Sequence, residues 1–578
     1  MSTTAGGRHS AAWREREVEA ERVSAIATAL GAPAALARVL VGRGVTTPEA
    51  AERFLAPRLA DLPDPGRLAG IDAAVARLAD ALKRGETIGI FGDYDVDGVT
   101  STTLLWDFLD MLGAEVTATL PDRLAEGYGL SRAGVDRLKA AGASLIVTVD
   151  CGVTAHEEVA YCAAQGIDVV VIDHHTVPVT LPKAVSVINP HRDDCASGAE
   201  HLCAVGVTFN LCLALRRHLR EQGFFSTSRP EPDLKRGLDL VALGTVADVV
   251  PLVEDNRVFV TYGIRAMQRA ARQGVSSLLE VARVDPGRVT ASTLGFQLGP
   301  RVNAAGRLGD AMKAVELLRS ASAAKAQALA ATLDRENASR RDLERRMVEE
   351  AVAEIDGSEL HRSAKVLVVG SESWHPGVVG IVASRIVDRY GKPAVVVGEG
   401  GRGSGRSVPA YHLYDGLRAV SDTLDGFGGH AHAAGVRVKP GGLERFREAL
   451  CAHAGATLSD ADLARVLIHD GALHVDDVDV ELCQALARAA PFGRKNPEPV
   501  FRVDGVTPRG LRELSGGHFK ANVHPRRVVE AVMFGGGERI GQFGGVVDLL
   551  GTPEINEWRG GRTLQLRLRD FRKLEEAG

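Results

Sequence analysis

The stretch TIGIFGDYDVDG, residues 87–98, decides the fold. Its first part, Thr87–Phe91, is a short apolar run, the pattern of a strand buried on both faces. Its second part sets three carboxylates, Asp93, Asp95 and Asp97, where that strand ends, and Gly98 permits a tight turn into a helix expected over Val99–Leu112. Two further blocks repeat the arrangement: Leu145–Val149 runs into Asp150 of VDCG, and Val169–Ile172 runs into Asp173-His174-His175. In an open parallel sheet, ligands bind in the crevice outside the carboxyl ends of the strands. Acidic clusters at three such ends converge in space, and carboxylates that close repel unless a cation sits between them. A fourth block, GTVADVVPL (residues 244–252), sets Asp248 among Val and Leu, where an acid is rarely left unpaired. The pattern points to a metal-dependent hydrolase.

Outward from residue 87, strands and helices alternate. Ile71–Arg84 reads as an amphipathic helix, Val116–Leu120 as a strand, Ser131–Ala141 as a helix opened by a serine cap, and His156–Gln165 as another helix. A βαβ series implies a parallel sheet with right-handed crossovers, so the fold class is α/β. Residues 203–285 are mostly helical. Five units are expected: an N-terminal helical cap (1–70), the parallel-sheet catalytic domain (71–320), a long connector helix (321–356), a smaller α/β domain (357–456) and a C-terminal β-barrel (457–578). The connector carries no Gly or Pro over residues 321–355 and is highly charged, so it reads as a solvated link rather than a coiled-coil seam.

A chain of 578 residues exceeds one core, in keeping with several domains. The formal net charge of -5 argues against a uniformly basic coat, so any polyanion site must come from local clustering of the 69 Lys and Arg residues. Seven cysteines, odd in number and never as C-x-x-C, fit reduced thiols in the cytoplasm. The N-terminal segment has no apolar core of a secretory signal, and no stretch reaches the roughly 18–20 apolar residues of a membrane span, so no membrane partner is expected.

An EF-hand loop also begins D-x-D-x-D-G, but its twelfth position would be Leu104 rather than a bidentate Glu, and a strand precedes it. Extended backbone at a strand end can instead aim alternate carboxylates the same way. Asp150 can bridge two cations. Of the vicinal pair, one His should ligate and the other should face the substrate phosphate or a carboxylate, because two adjacent rings on a strand cannot reach one ion. Cys151 reads as a small buried residue rather than a nucleophile.

DYDVDG, VDCG, DHH and GTVADVVPL, in this order, resemble the four motifs of the DHH phosphoesterase superfamily. PDRLAEGYGL (121–130), GPRVNAAGRL (299–308), WHPGVVGIVASR (374–385), SGRS (404–407) and FGGHAHAAG (427–435) are similar, more closely, to its RecJ family of 5′→3′ single-stranded-DNA exonucleases. The motifs are long and cover roughly residues 70–440, and the β-rich tail matches the family's OB-fold. The resemblance implies a DHH domain followed by a DHHA1 domain. It implies that Asp95, Asp97, Asp150, His174 and Asp248 ligate two Mn²⁺ or Mg²⁺ ions, with Asp150 bridging, and that His175 faces a phosphate. Superfamily members often have a His where this chain has Phe91, which cannot ligate; Asp93 is the candidate for that place. Two cations about 4 Å apart would neutralise the scissile phosphate and activate a water.

The same resemblance places Arg123, Ser404 and Arg406 at the substrate's 5′ end and nearest phosphates, and His430 across the cleft from the metals as a further substrate-binding residue. Gly398–Ser407 sets Arg402 and Arg406 amid five glycines, which let backbone N–H groups approach phosphate; a plain Gly-rich hairpin is the rival. Arg301, Asn303 and Arg307 would line a strand channel between the domains. Arg509, Arg512, His518 and Lys520 fit an OB-fold DNA face, with Phe519 and Trp558 for stacking, unless the module only docks protein. Single-stranded DNA is thus the expected substrate and partner, with a helicase and a single-strand-binding protein as co-workers. A phosphodiesterase for short oligoribonucleotides or cyclic dinucleotides is the alternative, as is an inactive DNA-binding scaffold; a pyrophosphatase shares the metal logic without needing a channel.

Overall fold

The protein is described by a computed structural model over residues 11–123, 125–557 and 561–574. Near the N-terminus a strand, β1 (Ala12–Glu15), precedes helices Ala20–Leu30, Ala34–Gly42 and Pro48–Leu55. The first α/β unit follows, with strands β2 (Thr87–Gly92), β3 (Val116–Thr119), β4 (Ala143–Val149), β5 (Asp168–Ile172) and β6 (Ser186–Ile188). They lie in the order β3-β2-β4-β5-β6, all parallel. The chain turns from one direction of sheet growth to the other between β2 and β4. A parallel sheet opens its ligand crevice at such a switch point. Asp93 follows β2 and Asp150 follows β4, so the topology itself sets the acids side by side.

Alternation along the strands feeds both faces. Ile88 and Ile90 join a core with the helices Ile71–Arg84, Val96–Met111, Ala204–Glu221, Leu238–Ala247 and Glu254–Ala270. Phe91 and Ile146 join the opposite core with the helices Arg132–Ala140 and His156–Ala164. Phe91 is therefore committed to packing: a Cβ at Gly134 would meet its ring at 2.2 Å, so only glycine lets that helix so close.

The helix after β2 begins at Val96, not Val99. The three acids of the first block consequently do not alternate along an extended strand. Asp93 lies in the turn, Asp95 is the N-cap, accepting from Asp97 N–H (2.9 Å) and Gly98 N–H (3.1 Å), and Asp97 is in the first helical turn. Gly98 is needed for a close approach rather than for a turn, since a Cβ there would meet the Asp93 carbonyl at 2.3 Å.

Ala323–Gly357 is the single 35-residue helix expected, but it is not a solvated link. Residues Ala326, Ala330, Leu333, Asn337, Arg340, Glu344, Met347, Ala351 and Ile355 form a buried stripe of helical period. Its first third packs into the first unit and its last third into the second, which makes it a shared wall. The second α/β unit has strands β7 (Leu367–Gly370), β8 (Ala394–Val397), β9 (Arg402–Arg406), β10 (Leu424–Gly429) and β11 (Ala433–Val438), in the order β10-β11-β9-β8-β7. The Gly-rich segment is thus a strand between β8 and β11 whose backbone groups serve the sheet.

The tail has strands β12 (Val466–His469), β13 (Ala472–Leu473), β14 (Phe501–Val506), β15 (Arg509–Leu514), β16 (His518–Asn522), β17 (Val529–Met533), β18 (Val547–Asn556) and β19 (Thr563–Lys573). The last seven form one sheet in the order β13-β14-β18-β19-β17-β16-β15, consistent with an OB-fold. Phe519 is no stacking residue: it is fully buried against Phe543 and Phe571, with ring centroids 4.9 and 6.1 Å away. Phe534, exposed beside His518, is the aromatic that this surface offers. Trp558 lies outside the described residues.

Both ends of the chain build this C-terminal unit. β1 pairs in parallel with β12, Trp13 Nε1 donates to Asp570 Oδ2 at 2.8 Å, and Arg43 Nη1 meets Asp470 Oδ1 at 2.7 Å. Ile26, Leu36 and Leu40 share a core with Leu482, Leu486 and Phe501. The N-terminal helices therefore pack as part of the C-terminal unit.

Candidate metal centre

The strand ends and the helix terminus at Asp248 bring six sequence-predicted residues, Asp93, Asp95, Asp97, Asp150, His174 and Asp248, to one place. Asp93, Asp95 and Asp150 offer ligand atoms within 4.8 Å of one another, and so do Asp97, Cys203 and Asp248. His174 joins the two groups: its Nε2 lies 3.2 Å from Asp150 Oδ1 and 3.7 Å from both Asp97 Oδ2 and Asp248 Oδ2.

Each side chain is held by its local structure. Asp97 is fully buried and accepts from the N–H groups of Ala204 (2.6 Å) and Val205 (2.9 Å), at the start of the helix Ala204–Glu221. Anions are favoured at helix N-termini, so this one anchors the carboxylate. Asp150 holds a left-handed backbone (φ 64), a strained geometry that Asp tolerates better than most residues and that clusters at functional sites. Asp173 accepts from Val153 N–H (2.9 Å), His174 N–H (2.8 Å) and His175 N–H (3.0 Å), which leaves it an organiser rather than a ligand.

The acids are short of positive charge. Burial, and then the charge of Asp95, pushes Asp97 up to about 7. Burial followed by Asp95 raises Asp93 and Asp150 well above the usual carboxylate range, and burial followed by Asp97 does so for Asp248. The Asp93 and Asp150 Oδ1 atoms are buried without a hydrogen-bond partner. Buried polar atoms are rarely left so. Burial and the neighbouring His175 hold His174 down at about 4, so its ring is neutral and free to ligate. Hard oxygen donors with one imidazole fit Mn²⁺ or Mg²⁺.

The two histidines differ in their surroundings, although a ring nitrogen of each lies within 4.8 Å of the other and of an Asp150 oxygen. His175 turns its Nδ1 to Asp173 Oδ1 (2.7 Å) and to the Tyr128 hydroxyl (3.0 Å), and its ring is half exposed to the cleft. Burial alone would lower its pKa, but the hydrogen bond and charge of Asp173 carry it to about 9. Tyr128 also donates to the Asp150 carbonyl at 3.1 Å. Sequence reasoning had quoted its motif without picking it out. Cys203 was missed altogether, having no motif; burial pushes its thiol well above the ordinary value, and as a neutral thiol it is a poor ligand for hard cations.

Arginines picked out from the sequence lie near the acids. Arg123 and Arg307 line one cleft of about 370 Å³. Burial, and then Arg123, lowers Arg307 to about 10, with Arg406 adding to the effect; burial and Arg123 likewise lower Arg406. Arg307 Nη1 donates to the Gly377 carbonyl at 3.0 Å, joining the two α/β units, and Arg406 Nη1 donates to Ser404 Oγ at 2.9 Å. His430 follows β10 and its pKa is lowered by burial, then by His432 and Arg406.

The other candidates have partners of their own. Asn303 Oδ1 accepts from Val96 N–H at 3.2 Å and so braces the helix behind the acids. Arg301 pairs with Asp334 at 2.9 Å, beside a cleft of about 490 Å³ lined by Phe296, Arg341 and Arg345. His518 and Lys520 sit on β16; Lys520 Nζ pairs with Glu530 at 2.7 Å, and His518 Nδ1 accepts from Gly535 N–H at 2.9 Å.

Comparison with known proteins agrees with this geometry. Residues 87–245 match the DHH family N-terminal domain, 363–455 the DHHA1 domain and 469–570 the RecJ OB domain. The chain is 39% identical over 560 residues to the single-stranded-DNA-specific exonuclease RecJ of Salmonella typhimurium, covering 93% of this chain and 96% of the relative. A crystal structure of RecJ from Thermus thermophilus in complex with Mn²⁺ superposes with a TM-score of 0.83 at 31% identity, covering 99% of this chain and 81% of that one. The same protein in complex with Mg²⁺ gives 0.76 at 29% identity, covering 98% and 79%.

Proposed function

Because the chain belongs to the RecJ family of single-stranded-DNA-specific exonucleases, we propose that it digests single-stranded DNA from the 5′ end, hydrolysing phosphodiester bonds and releasing 5′-mononucleotides. It is a metal-dependent nuclease whose cofactor is a pair of divalent cations, Mn²⁺ or Mg²⁺. The observation that carries the reading is the paired imbalance of charge. Buried carboxylates without counter-charge are accompanied by Arg307 and Arg406, half-buried and without an ion pair to a described carboxylate, and a phosphodiester with its cations would satisfy both sets.

In this reading Asp93, Asp95, Asp97, Asp150, His174 and Asp248 hold the cations, with Asp150 shared. The cations supply the charge that neutralises the phosphate and activates water. The remaining steps belong to the protein. Asp173 keeps the His175 ring oriented and protonated, so that His175 can donate to a phosphate oxygen as negative charge grows there. Arg123, Arg307 and Arg406, with Ser404 and His430, hold the 5′ end and its nearest phosphates. Arginine forks suit that task, because they grip phosphate through paired hydrogen bonds. Asn303 keeps the helix carrying Asp97 in register.

Among the described residues no helix is long and apolar enough to cross a membrane, and the seven cysteines are free. Free thiols suit a reducing compartment. We place the enzyme in the cytoplasm, in recombination and repair, with a helicase supplying single strands and a single-strand-binding protein keeping them open.

The test is Mn²⁺-dependent digestion of a single-stranded DNA oligomer labelled at its 5′ or 3′ end, beside a blunt duplex and an RNA of the same sequence. Immediate release of the 5′ label as mononucleotide, with the duplex intact, is expected. Release of the 3′ label first would reverse the polarity, and cleavage of short RNA with inert DNA would favour an oligoribonuclease.

A further inference from the structure

A loop of the C-terminal unit, residues 492–497, reaches the rim of the metal centre. Its shape is set from several sides. Gly493 N–H donates to the Asn496 carbonyl (2.8 Å) and Asn496 N–H returns the bond (3.1 Å). The buried Asn496 amide donates to the carbonyls of Ala489 (2.9 Å) and Pro491 (2.8 Å). On the catalytic side, Leu252 N–H donates to the Arg494 carbonyl at 2.9 Å, and the Arg494 guanidinium makes one long hydrogen bond, 3.4 Å, to the Val249 carbonyl. The tip is thus docked on the loop that directly follows Asp248.

What the tip presents is two cations. Arg494 and Lys495 are exposed, and neither makes an ion pair with a described carboxylate. Lys495 holds a left-handed φ of 65°. Val249, β-branched and 60% exposed, holds one of 58°. Strain of this kind persists only where the surroundings impose it, and it gathers at ligand sites.

The Arg494 charge reaches the second α/β unit as well: it adds to burial, His432 and Arg406 in holding His430 low. An unpaired guanidinium from a third part of the chain is thus held on the loop that follows Asp248, within electrostatic reach of His430.

Resting on the exonuclease reading above, we propose that Arg494, seconded by Lys495, binds a backbone phosphate of the DNA strand beside the metal centre. A solvent-facing guanidinium that spends only one long bond, from Nη1, keeps its remaining donors for a ligand, and a phosphate is the anion that the cleft already admits. The C-terminal unit thereby reaches into the active cleft through this loop as well as offering a surface outside it.

The experiment compares full-length Mn²⁺-loaded protein with Arg494→Gln and Arg494→Lys. It reads KM and kcat on a single-stranded DNA oligomer over a series of salt concentrations, Mn²⁺ affinity without DNA, and Tm. Arg494→Gln should raise KM about tenfold, as loss of a charged hydrogen bond does. It should also flatten the log–log salt slope by about 0.7, the release from one single-strand phosphate. The loss should fall on KM rather than kcat, Mn²⁺ affinity should hold, and Arg494→Lys should keep the slope. Unchanged KM and slope in Arg494→Gln would overturn the proposal. So would an equal loss of Mn²⁺ affinity and Tm, which would make Arg494 a latch for the Asp248 loop. Failure of the exonuclease reading would show separately, as absence of single-strand digestion by the unsubstituted protein.

Discussion

His174 Nε2 lies 3.2 Å from Asp150 Oδ1, an oxygen that is buried and has no hydrogen-bond donor. The approach is too long for a strong bond, and burial holds the ring neutral at about 4, so the pair is not an ion pair. Two potential ligands face each other across a gap that a cation would close. The centre is preorganised at a cost in stability, and that cost can be measured.

Replacing Asp150 should therefore separate stability from activity. Asp150→Asn keeps a residue that tolerates φ 64 and removes a buried charge without a counter-ion. Turnover should fall by about a thousandfold or more, the scale of losing a main electrostatic stabiliser. In EDTA, meanwhile, its Tm should exceed that of the unsubstituted protein. Retained turnover would remove Asp150 from the metal centre, and a lower Tm would refute the strain.

The His175–Asp173 pair should set an alkaline limit. His175 is carried to about 9, with Asp173 the group that raises it against burial. The protonated ring is present below that value and lost above it. The pH profile of kcat/KM should fall near pH 9, and Asp173→Asn should move that limb to lower pH, because the raising charge is gone. An unmoved limb would mean that another group titrates there.

Asn303→Ala tests the brace behind the acids. It deletes the acceptor for Val96 N–H beside the N-cap Asp95. Loss of a cap-type bond costs about 1 kcal/mol. Tm should drop modestly while Mn²⁺ affinity falls along with it, because Asp95 and Asp97 shift. Weaker DNA binding at full Mn²⁺ affinity would instead assign Asn303 to the channel.

Arg257 joins three parts of the chain. Its buried guanidinium lies 3.7 Å from the Phe54 ring centroid and donates to the carbonyls of Phe54 (2.6 Å) and Ala490 (2.7 Å). Arg257→Met should destabilise by roughly 2–3 kcal/mol, since it strands buried carbonyls and loses the cation–π contact. Chemical denaturation of the full chain would measure it. A change below about 0.5 kcal/mol, the ordinary range for a surface position, would refute the junction.

Most of the metal centre could be read along the chain because each ligand sits at a strand or helix end, where local pattern and chemistry coincide. The parallel sheet followed from β-branched runs alternating with helical periods. Reading failed where a residue's partner is far away in sequence. The bond from Val96 N–H to Asn303 left no trace along the chain. Phe519 resembled a stacking platform until Phe543 and Phe571 enclosed it. The glycines of residues 398–407 suggested a phosphate loop, but β8 and β11 claim the backbone of Gly403 and Gly405.

The sequence by itself determined the α/β class, the four acidic blocks and the chemistry those blocks imply, because strand period, helix period and ligand type are all local properties. Only the tertiary structure decided that the N-terminal helices pack with the C-terminal unit, that the connector helix is a buried wall, and that Arg494 docks on the loop after Asp248. Those relations depend on which faces meet. Packing and charge balance between distant segments settle that, and no local pattern records it.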